Sequence, residues 1–243
     1  MPDCAPSASS TLSEAQLPAA LDQYRDVTVM VENHGLLYMG GEPRHGRLLF
    51  THGAGAGMEL PFMRQFVTAL TRLGVQVLVF EFAYMQQMHK TGKRRPPPRM
   101  EALTEEFERW RTLVRSGVTG PLWLGGKSMG GRVASLLAAQ QPVDGLVIAG
   151  YPFHPPRRPE TLRLEHWSRI TCPALILQGE RDPFGARREV ENYTLPPCAR
   201  LAWLADGNHD YVPRRSSGTT QKILIDEAAH HAASFVRADS RDR

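Results

Sequence analysis

Cysteine, long hydrophobic runs and an excess of one charge are all scarce in this chain of 243 residues. Its three cysteines, Cys4, Cys172 and Cys198, are too few for a disulfide framework, and no Cys–His spacing indicates a zinc site. No apolar run reaches the roughly 18 residues of a transmembrane helix. The formal net charge of only +4 gives no indication of a nucleic-acid-binding protein.

The first residues also lack the basic and apolar regions of a secretory signal, so a cytoplasmic location is expected. Residues 1–20 are rich in Ser, Ala and Pro, which predicts a loosely ordered segment. The hydrophobic content of 42% suits a single domain, predicted over residues 21–243. The sequence shows no internal repeat that would indicate a second domain.

Short apolar runs alternate with helical patterns through most of the chain. Val27–Val31 and Leu36–Met39 predict a hairpin. Further strands are predicted at Arg47–Thr51, Val75–Phe82, Leu122–Leu124, Leu146–Ala149, Ala174–Leu177 and Leu201–Leu204. Helical spacing follows around residues 61–73, 103–114, 133–137 and 219–236. The pattern predicts an α/β fold, with a mostly parallel sheet of about seven or eight strands flanked by helices on both faces.

The strongest motif is Gly126-Lys127-Ser128-Met129-Gly130, which directly follows the strand Leu122–Leu124 and opens a helix. G-x-S-x-G in this strand–turn–helix context is typical of a nucleophile elbow, which exposes the serine hydroxyl above the sheet. Chance occurrence is one alternative. A phosphate-binding loop is another, but that pattern needs glycine where Pro121 stands.

A second glycine-rich loop, residues 52–57, directly follows the strand Arg47–Thr51. Its small residues let backbone N–H groups approach a substrate oxygen. In this type of fold, one oxyanion donor comes from such a loop and the other from the residue after the nucleophile. We therefore predict Ala54 and Met129 as backbone donors. A dinucleotide fingerprint is disfavoured, because Met58 occupies the position of its third glycine.

Two further loops supply the candidate acid and base. Asp182 follows the strand Ala174–Leu177, and His209 follows the strand Leu201–Leu204. The order Ser128, Asp182, His209 is the one expected for a nucleophile elbow of this kind. We predict that His209 takes the proton of Ser128 and that Asp182 orients the imidazole. Glu180 and Asp206 remain alternative acids, ranked in that order after Asp182.

These motifs resemble the α/β-hydrolase superfamily over residues 27 to 236. Within it, residues 51–55, 125–132, 178–182 and 207–210 resemble the KANL/Tex-type hydrolase-like group, with a looser similarity to dienelactone hydrolases. The resemblance implies a serine hydrolase that needs no cofactor or metal. Dienelactone hydrolases carry cysteine where Ser128 stands, which argues against their activity here.

The site should be open, because the segment His154–Pro173 leaves room for one short helix but not for a lid domain. Tyr84, Met85, Tyr151 and Phe153 are candidate substrate-binding residues, since they follow predicted strands. Two alternatives are open for these four side chains: they line the pocket, or they pack elsewhere. The side chain of Lys127 is expected to point away from the pocket.

Basic residues concentrate in the loops at the carboxyl edge of the predicted sheet. Arg94, Arg95, Arg157 and Arg158, which we call the basic rim, are predicted to steer an anionic substrate or to dock an acidic protein partner. The alternative is that these charges are simply solvated.

Hydrolysis of a carboxylic ester or thioester of a small acyl substrate is the leading functional prediction. Acyl transfer by the same residues and a non-catalytic interaction module are the alternatives. Neither a nucleic acid nor a membrane is an expected partner, and monomer and homodimer are both open. The basic segment of residues 90–99 lacks an aromatic stacking platform for nucleic acid.

Overall fold

A computed structural model describes residues 8–23 and 25–239. Their strands are β1 Thr11–Leu12, β2 Val27–Val31, β3 Gly35–Gly40, β4 Gly46–Thr51, β5 Val75–Phe80, β6 Leu122–Lys127, β7 Leu146–Ala149, β8 Ala174–Gly179 and β9 Ala199–Leu204. They form one sheet in the order β1-β2-β3-β5-β4-β6-β7-β8-β9. Only the β2–β3 and β3–β5 pairs are antiparallel. The predicted α/β fold is confirmed, with nine strands in the described part of the chain.

Helices cover both faces of this sheet, as predicted. They are α1 Leu17–Gln23, α2 Pro61–Arg72, α3 Ala83–Thr91, α4 Met100–Ser116, α5 Met129–Ala138, α6 Arg187–Val190 and α7 Gln221–Asp239. Short 3-10 turns lie at Glu14–Gln16, Trp167–Arg169 and Arg215–Ser217. The start of α2 illustrates the local cause: Pro61 fits a first turn, and Phe62, Met63 and Phe66 bury one face of the helix.

The core consists of one apolar layer on each side of the sheet. Helices α1, α4 and α5 pack on one face, where Phe80 and Leu124 point towards them. Helices α2 and α7 pack on the other face, against Phe50 and Val77. Because both faces are covered, the strands β5, β6, β7 and β8 are buried at every position. This arrangement leaves the carboxyl edge of the parallel strands as the accessible place for chemistry.

The folded domain begins earlier than the predicted boundary at residue 21. Strand β1 pairs with Met30 and Val31, and Leu17 is buried in the core. The prediction that residues 1–20 are loosely ordered is therefore wrong for residues 11–20. Residues 1–7 lie outside the described residues.

The connection from β7 to β8 is short and contains only the turn Trp167–Arg169, so the predicted absence of a lid domain agrees with the structure. None of the helices in the described part of the chain is long and apolar enough to cross a membrane.

Candidate active site

Ser128 lies at the sharp turn between β6 and α5. Its backbone has φ 53° and ψ −113°, a conformation that a non-glycine residue rarely adopts. The turn is held because the Ser128 N–H donates to Ala149 O at 2.9 Å. It also needs glycine nearby: a Cβ on Gly130 would lie 2.6 Å from His52 O, and one on Gly126 would clash with the Gly130 backbone. The turn leaves Ser128 half-buried at the start of α5.

The loop of residues 52–58, called the oxyanion loop below, lies directly against this turn. A Cβ on Gly53 would be 3.6 Å from Ser128 Cβ. Neither the Ala54 N–H nor the Met129 N–H donates to an acceptor within the described residues. Two free N–H groups on either side of a serine are the arrangement that binds an oxyanion.

His52 fixes the start of the oxyanion loop. The Phe82 N–H donates to His52 Nε2 at 3.1 Å, so Nε2 carries no hydrogen, and Nδ1–H donates to Gly53 O at 2.7 Å. Burial lowers the pKa of His52 to about 4, which keeps the ring neutral near pH 7. Sequence reasoning noted this residue only as part of the loop and missed its role as an anchor.

Glu81 fixes the other end of the oxyanion loop. Its Oε1 accepts from the Met58 N–H at 3.2 Å and lies 3.3 Å from His89 Nε2. The side chain is fully buried, and burial raises the pKa of Glu81, although the nearby His89 opposes that shift. The same carboxylate requires glycine at position 57, because a Cβ on Gly57 would overlap Glu81 Oε1. The loop is therefore held at both ends by residues that directly follow β5, through the Phe82 N–H at one end and the Glu81 carboxylate at the other.

Asp182 and His209 are brought together from different strands. His209 Nδ1 lies 2.8 Å from Asp182 Oδ2, and the acid is fully buried while 18% of the imidazole is exposed. Asp182 Oδ2 also accepts from Gln178 Nε2 at 3.0 Å, and Oδ1 accepts from the Phe184 N–H at 2.9 Å. These bonds fix the carboxylate and thereby the orientation of the ring. Sequence reasoning missed Gln178, which supports the acid. The feature that could have indicated it is a polar side chain near the end of a strand that is otherwise apolar.

The imidazole of His209 lies beside the segment that binds the Ser128 turn. A Cβ on Gly150 would be 3.3 Å from His209 Nδ1, and the preceding residue, Ala149, accepts from Ser128 N–H. The ring also packs on Phe184, with centroids 4.4 Å apart. The Ser128 turn and the Asp182–His209 pair thus lie side by side at the carboxyl edge of the sheet, after β6, β8 and β9.

The alternative acids are engaged elsewhere. Glu180 pairs with Arg187 at 2.8 Å and accepts from the Asp206 N–H at 3.0 Å. Asp206 accepts from Arg214, and the hydrogen bonds from Arg214 lower the pKa of Asp206. Neither carboxylate bonds to the His209 ring in the portion of the chain that the structure describes.

Lys127 holds the loop that carries His209. Its side chain is only 3% exposed, and Nζ donates to His209 O at 2.9 Å. Nζ also lies 3.2 Å from Asp210 Oδ1 and 5.2 Å from the centroid of the Phe62 ring. Burial lowers the pKa of Lys127, and the carboxylates of Asp210 and Asp182 oppose that shift.

The four candidate substrate-binding residues fall into two groups. Tyr84 is half-buried beside the oxyanion loop, where its hydroxyl lies 3.3 Å from Ala54 O, but Met85 is only 2% exposed. Tyr151 and Phe153 are both fully buried and pack edge to face, with centroids 4.9 Å apart. The structure therefore places Met85, Tyr151 and Phe153 in the interior, and of the four only Tyr84 borders the site.

The basic rim is exposed. Arg94 and Arg95 lie between α3 and α4, and Arg157 and Arg158 lie after β7. Arg157 has φ 64° and, together with residues of the Asp182 loop, lines an open groove of about 800 Å³. In the described ranges 8–23 and 25–239, none of the four forms an ion pair. Within the same ranges, no group of three His, Cys, Asp or Glu residues could hold a metal ion.

Comparison with solved structures shows where this fold recurs. The chain is similar to a serine hydrolase without a lid from Xanthomonas campestris, with TM-score 0.61, 19% identity, and coverage of 89% of this chain and 93% of that one. It is also similar to a dienelactone hydrolase from Anabaena variabilis, with TM-score 0.60, 20% identity, and coverage of 86% and 94%. A third similar structure is an esterase from Pyrococcus furiosus, with TM-score 0.59, 16% identity, and coverage of 91% of this chain and 93% of that one. At these identities the likeness establishes the fold.

The family comparison covers most of the chain. A model described as an alpha/beta hydrolase domain matches residues 44–237, which include the oxyanion loop, Ser128, Asp182 and His209. The predicted membership of the α/β-hydrolase superfamily is thereby confirmed, and the resemblance to the KANL/Tex-type group stays a prediction. The chain belongs to the alpha/beta hydrolase domain family.

Proposed function

We propose that this protein is a serine hydrolase that cleaves a carboxylic ester or thioester through an acyl-enzyme. The observation that carries the proposal is the Asp182–His209 bond of 2.8 Å beside a strained serine turn. In this proposal Ser128 is the nucleophile, His209 is the base and Asp182 orients the imidazole. The small, anionic character of the substrate, the alternative of acyl transfer to another acceptor, and a cytoplasmic location all stay predictions.

In the first half-reaction, Ser128 Oγ attacks the acyl carbon while His209 Nε2 accepts its proton. Asp182 holds Nδ1–H and stabilises the imidazolium that forms. The negative charge on the tetrahedral intermediate is bound by the Ala54 and Met129 N–H groups. The intermediate then expels the alcohol or thiol, which takes the proton from His209.

In the second half-reaction, water replaces the alcohol. His209 Nε2 removes a proton from water as its oxygen attacks the acyl-enzyme. The intermediate then collapses, His209 returns the proton to Ser128 Oγ, and the acid is released. Because 18% of the His209 side chain is exposed, water can approach the imidazole directly. The short β7–β8 connection supports an open site of this kind.

Labelling with a fluorophosphonate probe tests the proposal. We expect the parent protein to be labelled, and Ser128→Ala and His209→Ala to lose labelling. Asp182→Asn should slow labelling by a factor on the order of 10³ to 10⁴, because the imidazole loses its orienting acceptor. Glu180→Gln is the matched control, since Glu180 bonds Arg187 and not His209; it should label at the parent rate. A folded parent that is not labelled would instead indicate a non-catalytic interaction module.

A further inference from the structure

Two arginines outside the basic rim, Arg132 and Arg163, lie on α5 and on the β7–β8 connection. Arg132 lies in the first turn of α5, and its N–H donates to Ser128 O at 3.0 Å. Arg163 belongs to the β7–β8 connection, where its N–H donates to Phe153 O at 2.8 Å and its carbonyl accepts from the Tyr151 hydroxyl at 2.7 Å. Both backbones are therefore fixed. Burial, and next the positive charge of Arg132, lower the pKa of Arg163, so the two side chains lie within electrostatic range of each other.

Neither guanidinium has a carboxylate partner. Among the residues that the structure describes, Arg132 makes no side-chain hydrogen bond or ion pair, although its Nε is buried. Arg163 makes a single long side-chain bond, Nη1 to Pro152 O at 3.5 Å. The nearby Glu165 is exposed and forms no ion pair with a described residue.

The two buried titratable neighbours of this pair, His166 and Tyr151, are neutral. His166 lies close to Arg132. Burial and, as the smaller cause, the positive charge of Arg132 lower the pKa of His166 to about 4. Its Nε2 bonds Ser135 Oγ at 2.8 Å. Tyr151 is fully buried, and burial raises the pKa of its hydroxyl to about 12. Two positive charges therefore stand in a half-buried setting in which no described carboxylate pairs with them; the charge of Glu165 acts on His166, but Glu165 itself is exposed.

Such a pair lacks the counter-charge that usually accompanies partly buried arginines. The exposed rim residues are stabilised by water, but the buried Arg132 Nε has no such compensation. An anion between the two groups would remove the repulsion and supply acceptors for the forked N–H donors. Because four helical residues advance by about 6 Å, an anion held by Arg132 would lie within reach of a substrate bound at Ser128.

We propose that Arg132 and Arg163 form a subsite for a carboxylate carried by the substrate, close to the bond that Ser128 attacks. This inference rests on the proposed hydrolase function and narrows its substrates to small anionic esters or thioesters. The basic rim then serves to attract the anion from solution, while the Arg132–Arg163 pair binds it.

Matched esters test this subsite. The first pair is 4-nitrophenyl succinate and its methyl ester, with the carboxylate on the acyl side; the second is 4-acetoxybenzoate and its methyl ester, with the carboxylate on the leaving group. We expect the parent to prefer the carboxylate form in one pair, measured as a ratio of kcat/KM. Arg132→Met and Arg163→Met should each reduce that ratio by about tenfold or more. Arg132→Lys should retain part of it, because charge remains without the fork.

Arg169→Met is the matched control for total charge. Arg169 is exposed on the same connection, at the turn Trp167–Arg169, and makes no side-chain bond to a described residue. It should keep the parent ratio. Equal ratios in the parent, Arg132→Met and Arg163→Met for both ester pairs would overturn the subsite.

A binding measurement separates this inference from the proposed function. Calorimetric titration with succinate, which has no ester to cleave, should show binding to the parent and at least about tenfold weaker binding to Arg132→Met. If the parent neither reacts with fluorophosphonate nor cleaves the methyl esters, the hydrolase proposal fails, and this titration alone decides the subsite. No binding to the parent, or equal binding to the variant, would overturn it.

Discussion

Lys127 directly precedes the candidate nucleophile, but its ammonium group is bonded to the loop of the candidate base. Its Nζ reaches the carbonyl of His209 and the carboxylate of Asp210. One side chain thus links the serine turn to the His209 loop. Because the hydrogen bond is to backbone, it sets where the imidazole is placed and not its chemistry. Lys127 is therefore a positioning residue, not a catalytic one.

Replacing Lys127 with methionine tests this link. The variant keeps the apolar stem over Phe62 but leaves the His209 carbonyl without its charged donor. We expect the fluorophosphonate labelling rate to fall by about tenfold, since loss of a hydrogen bond to a charged group costs about 1.5–3 kcal/mol. Lys222→Met, on an exposed lysine of α7, should leave the rate unchanged. A parent-like rate for Lys127→Met would show that the lysine only stabilises the fold.

Single positions differ in how well the sequence predicts them. Ser128, Asp182 and His209 follow recognisable strands, and the observed Asp182–His209 contact agrees with the expected pairing. Tyr151 and Phe153 also follow a strand, but they pack in the interior. Their direction depends on the backbone of the following connection, and no periodic pattern specifies that backbone.

The oxyanion loop is positioned by what it packs against. Two of its glycines differ sharply in their surroundings. A Cβ on Gly55 would meet nothing within 4 Å, whereas one on Gly57 would overlap Glu81 Oε1 and lie 3.0 Å from His89 Nε2. The loop can therefore accept a methyl group at one position but not two residues later.

Alanine at these two positions gives a matched comparison. Gly57→Ala should displace the loop or the Glu81 carboxylate and so misplace the Ala54 N–H. We expect its labelling rate to fall by about a hundredfold, the cost of losing one oxyanion donor. Gly55→Ala should label within about twofold of the parent, because surface substitutions in open space have small effects. Equal rates for both variants would show that the loop tolerates displacement, or that its N–H groups are not used.

The elements that the sequence missed are short and depend on contacts from elsewhere. Helix α3 buries Met85 alone among its residues, so it lacks an apolar stripe. It is held by Gln86 Nε2 bonding Glu81 O at 2.7 Å and by the Ala83 N–H bonding Glu106 at 2.7 Å. Strand β1 has only two residues, too few for an alternating pattern. Longer elements such as α4, with its regular stripe of buried residues, could be predicted closely.

The overall architecture was the most predictable level. Alternation of buried strands and amphipathic helices specifies a parallel sheet with both faces covered, and few topologies satisfy that pattern. The start of the domain was less predictable. Helix α1 buries Leu17 and Leu21 in the core, although the composition of this segment is that of a loosely ordered tail. Composition averages over a segment, whereas burial depends on two or three apolar side chains.

The stability of the whole domain should decrease in mild acid because two histidines are buried in neutral form. Burial lowers the pKa of both His52 and His166 to about 4, against an ordinary value of 6.5. For a depressed histidine pKa, the contribution to stability is complete above pH 6.5 and is lost as the pH falls through about 4. Between these two pH values the unfolded chain binds a proton at each of the two histidines, whereas the folded protein does not.

His166 provides the test, because it lies outside the oxyanion loop. We expect the free energy of unfolding in urea to fall between pH 7 and pH 5, and His166→Gln to reduce that fall by about 1–2 kcal/mol. Glutamine can still bond Ser135 but takes up no proton. His231→Gln, on an exposed histidine of α7, should leave the pH dependence unchanged. If His166→Gln loses as much stability as the parent between these pH values, His166 accepts a proton within the fold, and the neutral surroundings assigned to the Arg132–Arg163 pair would be wrong.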